Sequence, residues 1–460
     1  MQNYNYKLST RRSFLHQSAL VLGTAIAAPM ILPSSAKGAN DRLNIAWVGL
    51  GGMGRGDLRN CSKGNNVVAL CDCDPNMWEK VRKDYPEAKF YMDFRKMLHE
   101  MADKIDVVGV GTPDHTHFAI TVMAMNMGKH VFVEKPLAHS IWEVRKLKEL
   151  ALKKDLVTQM GNQGHASEGA RLIKEWYEAG LIGEVKEVLA WTNRPKVGYG
   201  FSGIVQTNYP EAQTPPQGMD WDLWLGPVSK NIGFHSDLHP KGWRSWWDFG
   251  AGGLGDIGCH TIDSAYWALN LGAPTSVEVE MMEKVNPIFT PNGAIVTYNF
   301  PSRNNKAPVK IKWYEGPSKP VVPKEFDVGE FGDAEGGFMM IGDKGGIHYS
   351  GMRPDSPKMY PIAKWEEYRA NPKMHVAKTL ERTPALHQDF INAIKNGKKA
   401  CSDFSYSAPL TEAIILGTLA IRTGQTVNWN SEIMEITGNP EASRMVNVEA
   451  RAGWRLEDLA

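Results

Sequence analysis

Asp256 and His260 stand four residues apart in the run Gly252-Gly253-Leu254-Gly255-Asp256-Ile257-Gly258-Cys259-His260-Thr261-Ile262-Asp263. On a helical turn that spacing puts both on one face. Histidine is the side chain best suited to take a proton from an alcohol near neutral pH, and a neighbouring carboxylate can orient its ring. His260 is the candidate general base, with His239 and Tyr199 next in line. The plainer reading is a capping Asp beside a satisfied core histidine. A second group could cradle a phosphate. Gly49-Leu50-Gly51-Gly52-Met53-Gly54 follows the apolar run Leu43 to Val48 and opens a helical stretch, the strand–turn–helix setting that G-x-G-x-x-G requires. Gly49 permits the turn, Gly51 lets backbone approach a pyrophosphate, and Gly54 lets helix pack on strand, with Gly52 and Met53 completing the loop. The helix N-terminus adds unpaired N–H groups and a partial positive charge. The next strand-like run, Asn66 to Cys71, ends in Asp72. A carboxylate there can accept hydrogen bonds from adenosine ribose hydroxyls and would repel a 2′-phosphate, so the pattern predicts NAD rather than NADP. Trp243-Arg244-x-Trp246-Trp247 could wall a site, since indoles stack on the apolar faces of sugars and Arg244 could bind hydroxyls or a carboxylate. An aromatic loop packed into a core fits the same residues.

Those residues need elements to hold them. Apolar Ile105 to Val110 is followed by a helix over about Phe118–Met127, a short strand over His130–Val133, and a Lys/Glu-rich helix over Ile141–Lys153. Strands ending one after another in polar residues are what an open parallel sheet presents at its carboxyl edge, where ligands bind. Beyond Gly161 the pattern changes to a helix over Ala166–Ala179, a strand over Val185–Thr192, a Pro/Gly/Trp-rich stretch, and a helix from near Gly258 to Leu269. Strands at Ser276–Met282, Ala294–Asn299 and Val309–Trp313, with more near Phe338 and Ile347, follow without intervening helices, which predicts a largely antiparallel sheet. Helices over Pro384–Asn396 and Ser407–Thr423 are expected to close that second domain.

Gly49-x-Gly51-x-x-Gly54, Thr112-Pro113 with His117, and Glu134-Lys135-Pro136 together resemble the glucose–fructose oxidoreductase/inositol dehydrogenase (Gfo/Idh/MocA) family, over roughly Arg42 to Trp429. The resemblance implies an α/β fold: an N-terminal Rossmann doubly wound parallel sheet, then a C-terminal α+β domain with an open, mainly antiparallel sheet. It implies that Lys135 lies by the nicotinamide and substrate, where an ammonium can stabilise a developing alkoxide. It makes Lys135, Asp256 and His260 the catalytic group, and puts Thr112, Pro113, His117, Glu134, Asn162 and Gln163 beside cofactor or substrate. His115 could cap the neighbouring helix. The implied activity is NAD-dependent oxidation or reduction of a hydroxyl on a sugar or polyol, its identity open. His260 would take the hydroxyl proton and hydride would go to nicotinamide C4. Two other readings stand beside it: a redox-neutral hydrolase, lyase or epimerase working through transient sugar oxidation, and a non-catalytic nucleotide-binding protein.

Composition bounds the rest. Fifty-two basic against 51 acidic residues give a net charge of +1, which excludes a strongly basic nucleic-acid surface. With 42% apolar residues the chain can bury a real core. Five scattered cysteines make no disulfide framework and no zinc ligand set, so no metal is expected. The N-terminus carries Arg11-Arg12-Ser13-Phe14-Leu15 and a weakly apolar run, Ala19 to Leu32, shorter than the ~20 residues a membrane helix needs. It resembles a twin-arginine export signal, which predicts a periplasmic protein not integrated in the membrane. The expected domains are a signal segment over 1–39, the NAD-binding domain over 40–160, a substrate and oligomerisation domain over 161–430, and a tail over 431–460. An uncovered, apolar sheet face would make the protein a homo-oligomer, dimer or tetramer.

Overall fold

A computed structural model of the chain describes residues 42–195 and 205–459. The signal segment and Tyr199 lie outside the described residues. Six strands form the first sheet: β1 (Asn44–Val48), β2 (Asn66–Cys71), β3 (Lys89–Tyr91), β4 (Val107–Val110), β5 (His130–Val133) and β6 (Thr158–Met160). Their order is β3-β2-β1-β4-β5-β6 and every pairing is parallel. The order reverses direction between β1 and β4, so the crevice for a ligand opens there, beyond Val48 and its register partner Val110. The β-branched runs of β4 and β5 are buried along their whole length, as strands covered on both faces must be. Local chemistry agrees with the elements. The helix Ile141–Lys154 starts at a capping box, in which Ser140 accepts the Glu143 N–H and Glu143 accepts the Ser140 N–H, and it ends on Lys153 and Lys154.

The second sheet has nine strands: β7 (Val185–Thr192), β8 (Ser276–Met281), β9 (Ala294–Phe300), β10 (Val309–Glu315), β11 (Gly336–Gly342), β12 (Gly345–Ser350), β13 (Lys358–Tyr360), β14 (Val427–Asn430) and β15 (Glu435–Thr437). All pairs are antiparallel except β7 with β10. One face, carrying Val188, Ala190, Val296, Tyr298, Ile311, Trp313, Phe338 and Met340, packs into the main core with the helix Phe404–Thr423. That helix is long and apolar enough to cross a membrane, yet it is largely buried inside the fold.

The other face corrects an expectation. Over β7 and β11 it is apolar, but the chain covers it itself: Leu189, Trp191 and Met339 cluster with Phe326 and Phe331. Over β8, β9 and β10 it is open and polar, bearing Glu278, Thr297, Asn299, Lys310 and Lys312, with Lys312 paired to Glu187 at 2.8 Å. Ile295 and Tyr314 stand half-buried on the same face, so among the described residues this part of it is mixed, not uniformly apolar.

Two more pieces depart from the expected division. The helix Leu386–Asn396 does not close the second domain; Leu386, Phe390 and Ile394 pack with Ile45, Trp47 and Phe132 of the first sheet. The segment after residue 430 is no loose tail, since Trp454 is buried against Phe94 of the first domain, with ring centroids 5.7 Å apart. Phe390, fully buried, meets Phe132 edge-on. Phe390→Ala should cost about 3–5 kcal/mol, read as a lower midpoint of denaturant unfolding. An unchanged midpoint would mean this helix is not part of the first core.

Candidate active site

The glycine turn has the geometry that a dinucleotide needs. Gly49 has φ +90°, and a Cβ there would sit 2.5 Å from the Gly111 carbonyl oxygen. A Cβ on Gly54 would meet the Gly49 oxygen at 2.4 Å, so helix and strand touch only because both residues lack one. At Gly51 the nearest atom is 3.5 Å away, leaving the backbone open to approach. Gly51 also caps the helix Gly52–Cys61 without any side chain, so its first N–H groups remain for an anion, and Met53 lies half exposed beside them. Asp72 is tied to the same turn: it accepts the Leu50 N–H at 2.8 Å and the Asp74 N–H at 3.0 Å. Burial pushes its carboxyl up to about 6. These residues fit NAD.

The acid/base group assembles, with one change of partner. Lys135, at the end of β5, donates to Asp256 at 2.5 Å, and the Arg244 Nε lies 3.4 Å from the same oxygen. Asp256 thus holds the lysine, where a hydrogen bond orienting His260 was expected. The local reason is a π turn over Leu254–Gly258, inside a helix that already begins at Gly252; at this pitch residues four apart no longer stack squarely. The buried His260 Nδ1 has no hydrogen-bond partner among the described residues. Burial, then the charges of Lys135 and Arg353, hold the His260 ring well below its ordinary range, while Asp256 pulls the other way. His260 is therefore neutral at pH 7, as a base must be. Lys135 is pushed up despite its burial, by Asp256 first and Glu134 next, and stays an ammonium.

Around this group Glu134, Asn162 and Gln163 meet residues the sequence did not single out. Glu134 accepts from Gln163 Nε2 at 2.9 Å, and Gln163 Oε1 accepts from Arg353 at 3.1 Å. Asp57, on the glycine-turn helix, accepts from His387 at 2.7 Å. Burial pushes Asp57 up to about 7 and Glu134 up to about 8, so these neighbours hold a proton between them at neutral pH. Asn162 donates to Asp263 at 3.1 Å, and Asp263 also holds His165 at 2.9 Å and the Tyr406 hydroxyl at 2.7 Å. Asp114 accepts the Ala251 N–H at 3.1 Å just before the Gly252 turn. Asp263 lies one helical turn from His260 and was readable from spacing; Arg353, on a loop, and His387, in the helix Leu386–Asn396, are distant in sequence and carried no such signal.

Several residues expected beside a ligand make contacts within the chain itself. His117 has both ring nitrogens against backbone carbonyls, Pro136 at 2.8 Å and Thr112 at 2.9 Å, so it ties two strand ends together and leaves no nitrogen for a cofactor. Thr112 accepts from the Thr116 hydroxyl at 2.8 Å, next to Pro113. His115 likewise spans the carbonyls of Trp224 and Phe249. His239 is bound by Asp74 at 3.1 Å, away from Lys135 and His260. Trp243, Trp246 and Trp247 are buried, Trp246 stacked on Tyr209 at 4.6 Å, so they make no exposed sugar platform. Arg244 lies over the Trp243 ring at 4.2 Å, and its guanidinium is the polar part of this wall that reaches Asp256.

A glycine-turn crevice with a lysine, a carboxylate and a neutral histidine at its sheet edge defines a dinucleotide-binding oxidoreductase. The family model for the Gfo/Idh/MocA oxidoreductase family, NAD-binding Rossmann fold, matches residues 43–162, and the model for the C-terminal alpha/beta domain of that family matches residues 170–297. The chain belongs to the Gfo/Idh/MocA oxidoreductase family. It is similar to an inositol 2-dehydrogenase/D-chiro-inositol 3-dehydrogenase of Lacticaseibacillus casei, 31% identical over 166 residues, covering 35% of this chain and 47% of that protein. An inositol 2-dehydrogenase of Serratia proteamaculans matches at 31% over 166 residues, covering 35% and 48%. The match spans about half the length of these curated relatives. Among solved structures, the WlbA dehydrogenase of Bordetella pertussis in complex with NADH and UDP-GlcNAcA aligns with a TM-score of 0.58 at 14% identity, over 85% of this chain and 98% of that one. A levoglucosan dehydrogenase with NADH and levoglucosan gives 0.57 at 18%, over 85% and 100%. At these identities the likeness concerns the fold.

Proposed function

We propose that the protein is an NAD-dependent dehydrogenase of a hydroxyl on a sugar or polyol. The observation that carries this reading is the Lys135 ammonium, held 2.5 Å from Asp256 at the carboxyl end of β5, with a neutral, buried His260 inside its electrostatic field. The similarity to inositol dehydrogenases supports the substrate class. Bound NAD supplies the hydride acceptor. His260 takes the hydroxyl proton, Lys135 stabilises the oxygen as negative charge grows on it, and Asp256 with Arg244 keeps the ammonium in place. The test is a panel of sugars and polyols given to the NAD-loaded protein, with absorbance followed at the wavelength of the reduced nicotinamide. No reduction with any member counts against the reading.

Cofactor choice follows from Asp72. NAD should bind more tightly than NADP, and Asp72→Ala should weaken NAD by about tenfold, ~1.4 kcal/mol. The sign with pH is set by the raised carboxyl. Asp72 is ionised above about 6, so rejection of the 2′-phosphate is full above that value and fades as pH falls through it. Calorimetric titration of both cofactors at two pH values measures this; equal native affinities would remove Asp72 from the role.

The paired arginines Arg11 and Arg12 and the apolar run behind them support export by the twin-arginine route to the periplasm. That route carries folded protein, so the cofactor would travel inside and be regenerated in place. Protein purified from periplasm and dialysed should retain about one NAD per chain, a count consistent with the one glycine-turn site. Protein that emerges empty and consumes added NAD stoichiometrically would argue for free exchange.

A further inference from the structure

The ionisable groups around His260 are unbalanced. Lys135 and Arg244 both meet the carboxylate of Asp256. Two further arginines lie within electrostatic range of the His260 ring, Arg353 and Arg194. Among the described residues neither has a carboxylate within ion-pair distance. Arg353 donates to the neutral amide Gln163, and its Nε is buried with no acceptor. Among the described residues the side chain of Arg194, just beyond β7, reaches the Asn193 amide oxygen and the Met352 sulfur. The segments that carry them adjoin the helix of His260. Thr261 donates to the Met352 carbonyl at 3.2 Å, and a Cβ on Gly253 would lie 3.3 Å from the Arg194 carbonyl. Of the nearby carboxyls, Glu134 and Asp57 share a proton at neutral pH, Asp114 is pushed up to about 7, and Asp263 is committed to Asn162, His165 and Tyr406.

A protein does not leave a buried guanidinium N–H without an acceptor at no cost. Among the described residues, three buried polar atoms in this one neighbourhood lack partners: Arg353 Nε, His260 Nδ1 and Asn162 Oδ1. The pyrophosphate of the cofactor is provided for elsewhere, at the glycine turn. A neutral sugar would satisfy hydrogen bonds here but leave the guanidiniums of Arg353 and Arg194 with neutral partners alone among the described residues. We propose that the substrate is a sugar acid or polyol acid, whose carboxylate is held by Arg353 and Arg194 while the hydroxyl to be oxidised faces His260 and Lys135. This rests on the dehydrogenase reading and adds the charge of the substrate to it. Arg353 would accept the carboxylate in the planar, two-pronged geometry that guanidinium offers.

The test uses matched pairs that differ only in the carboxylate: D-glucuronate against D-glucose, D-galacturonate against D-galactose, and D-gluconate against D-sorbitol. Each is titrated into the full, NAD-loaded protein by calorimetry at low salt. At least one acid should bind about tenfold or more tightly than its neutral partner, the factor expected of a charge-assisted hydrogen bond. In Arg353→Gln that preference should fall to about twofold or less, with the NAD content unchanged, and the acid limb of any pH–rate profile should move upward as a cation leaves His260. Arg194→Gln gives the same readout should Arg353→Gln fail to fold. A panel in which no acid outbinds its neutral partner, or a preference that survives both substitutions, overturns the proposal. The two readings fail separately. Acid binding without nicotinamide reduction leaves the anion site standing and sinks the dehydrogenase; turnover of a neutral sugar with no acid preference does the reverse.

Discussion

His260→Ala should lower kcat by roughly 10²–10⁴ and leave NAD bound, because it removes the one neutral base placed beside the Lys135–Asp256 pair. Lys135→Met should cost a similar factor, about 10²–10³, by removing the cation that meets charge growing on the substrate oxygen. The two losses should not add, since each group acts on the same O–H bond. The pH dependence has a definite sign. The base works unprotonated and its ring is held well below the ordinary histidine range, so kcat/KM should persist well below pH 6.5 and fall only when pH drops through that lowered value. Asp256→Asn offers a finer test. It removes the partner that keeps Lys135 charged and placed, and should reduce kcat more than it raises KM. Steady-state rates on a substrate found by the panel measure all of this. Near-native kcat in His260→Ala would put the base elsewhere, and His239 is a poor replacement because Asp74 holds its ring.

The first sheet could be read from the sequence because its information is local. The β-branched runs of β4 and β5, the glycine turn and Asp72 lie within a few residues of what they determine. The second domain was legible as a succession of strands, but its order was not. Pairing β7 with β10 in parallel, and covering Leu189 and Trp191 with Phe326 and Phe331, joins residues more than a hundred positions apart. No periodicity reports such contacts. The same limit applies at the site. Lys135, Asp256 and His260 were recognisable by type and spacing, whereas the exchange of Asp256 from His260 to Lys135 depends on one π turn. His117 and the tryptophans were ambiguous for a shared reason: a buried imidazole or indole can satisfy its N–H on the chain's own carbonyls, as Trp247 does on Asn286, as readily as on a ligand.

Gly54→Ala should all but abolish NAD binding, while Gly56→Ala, two residues along the same helix, should leave it unchanged. The added methyl at Gly54 would lie 2.4 Å from the Gly49 oxygen and 2.8 Å from the Gly111 oxygen, and both are backbone atoms. No rotamer change relieves a clash with backbone, so the helix Gly52–Cys61 must move off β1 and carry its N-terminal N–H groups away from the phosphates. A loss of at least ~10²-fold in affinity, about 2.7 kcal/mol, is expected. At Gly56 a Cβ meets nothing within 4 Å. There Ala should stabilise the fold by up to about 1 kcal/mol through helix propensity alone. The pair separates a defect in the cradle from a general defect in the helix. Calorimetric titration with NAD gives the affinities, and thermal unfolding gives the stabilities. If Gly54→Ala binds NAD like the native protein, the turn is not what holds the dinucleotide. If both variants lose binding equally, the helix tolerates no methyl anywhere, and the close contact at Gly54 explains nothing specific to the cofactor.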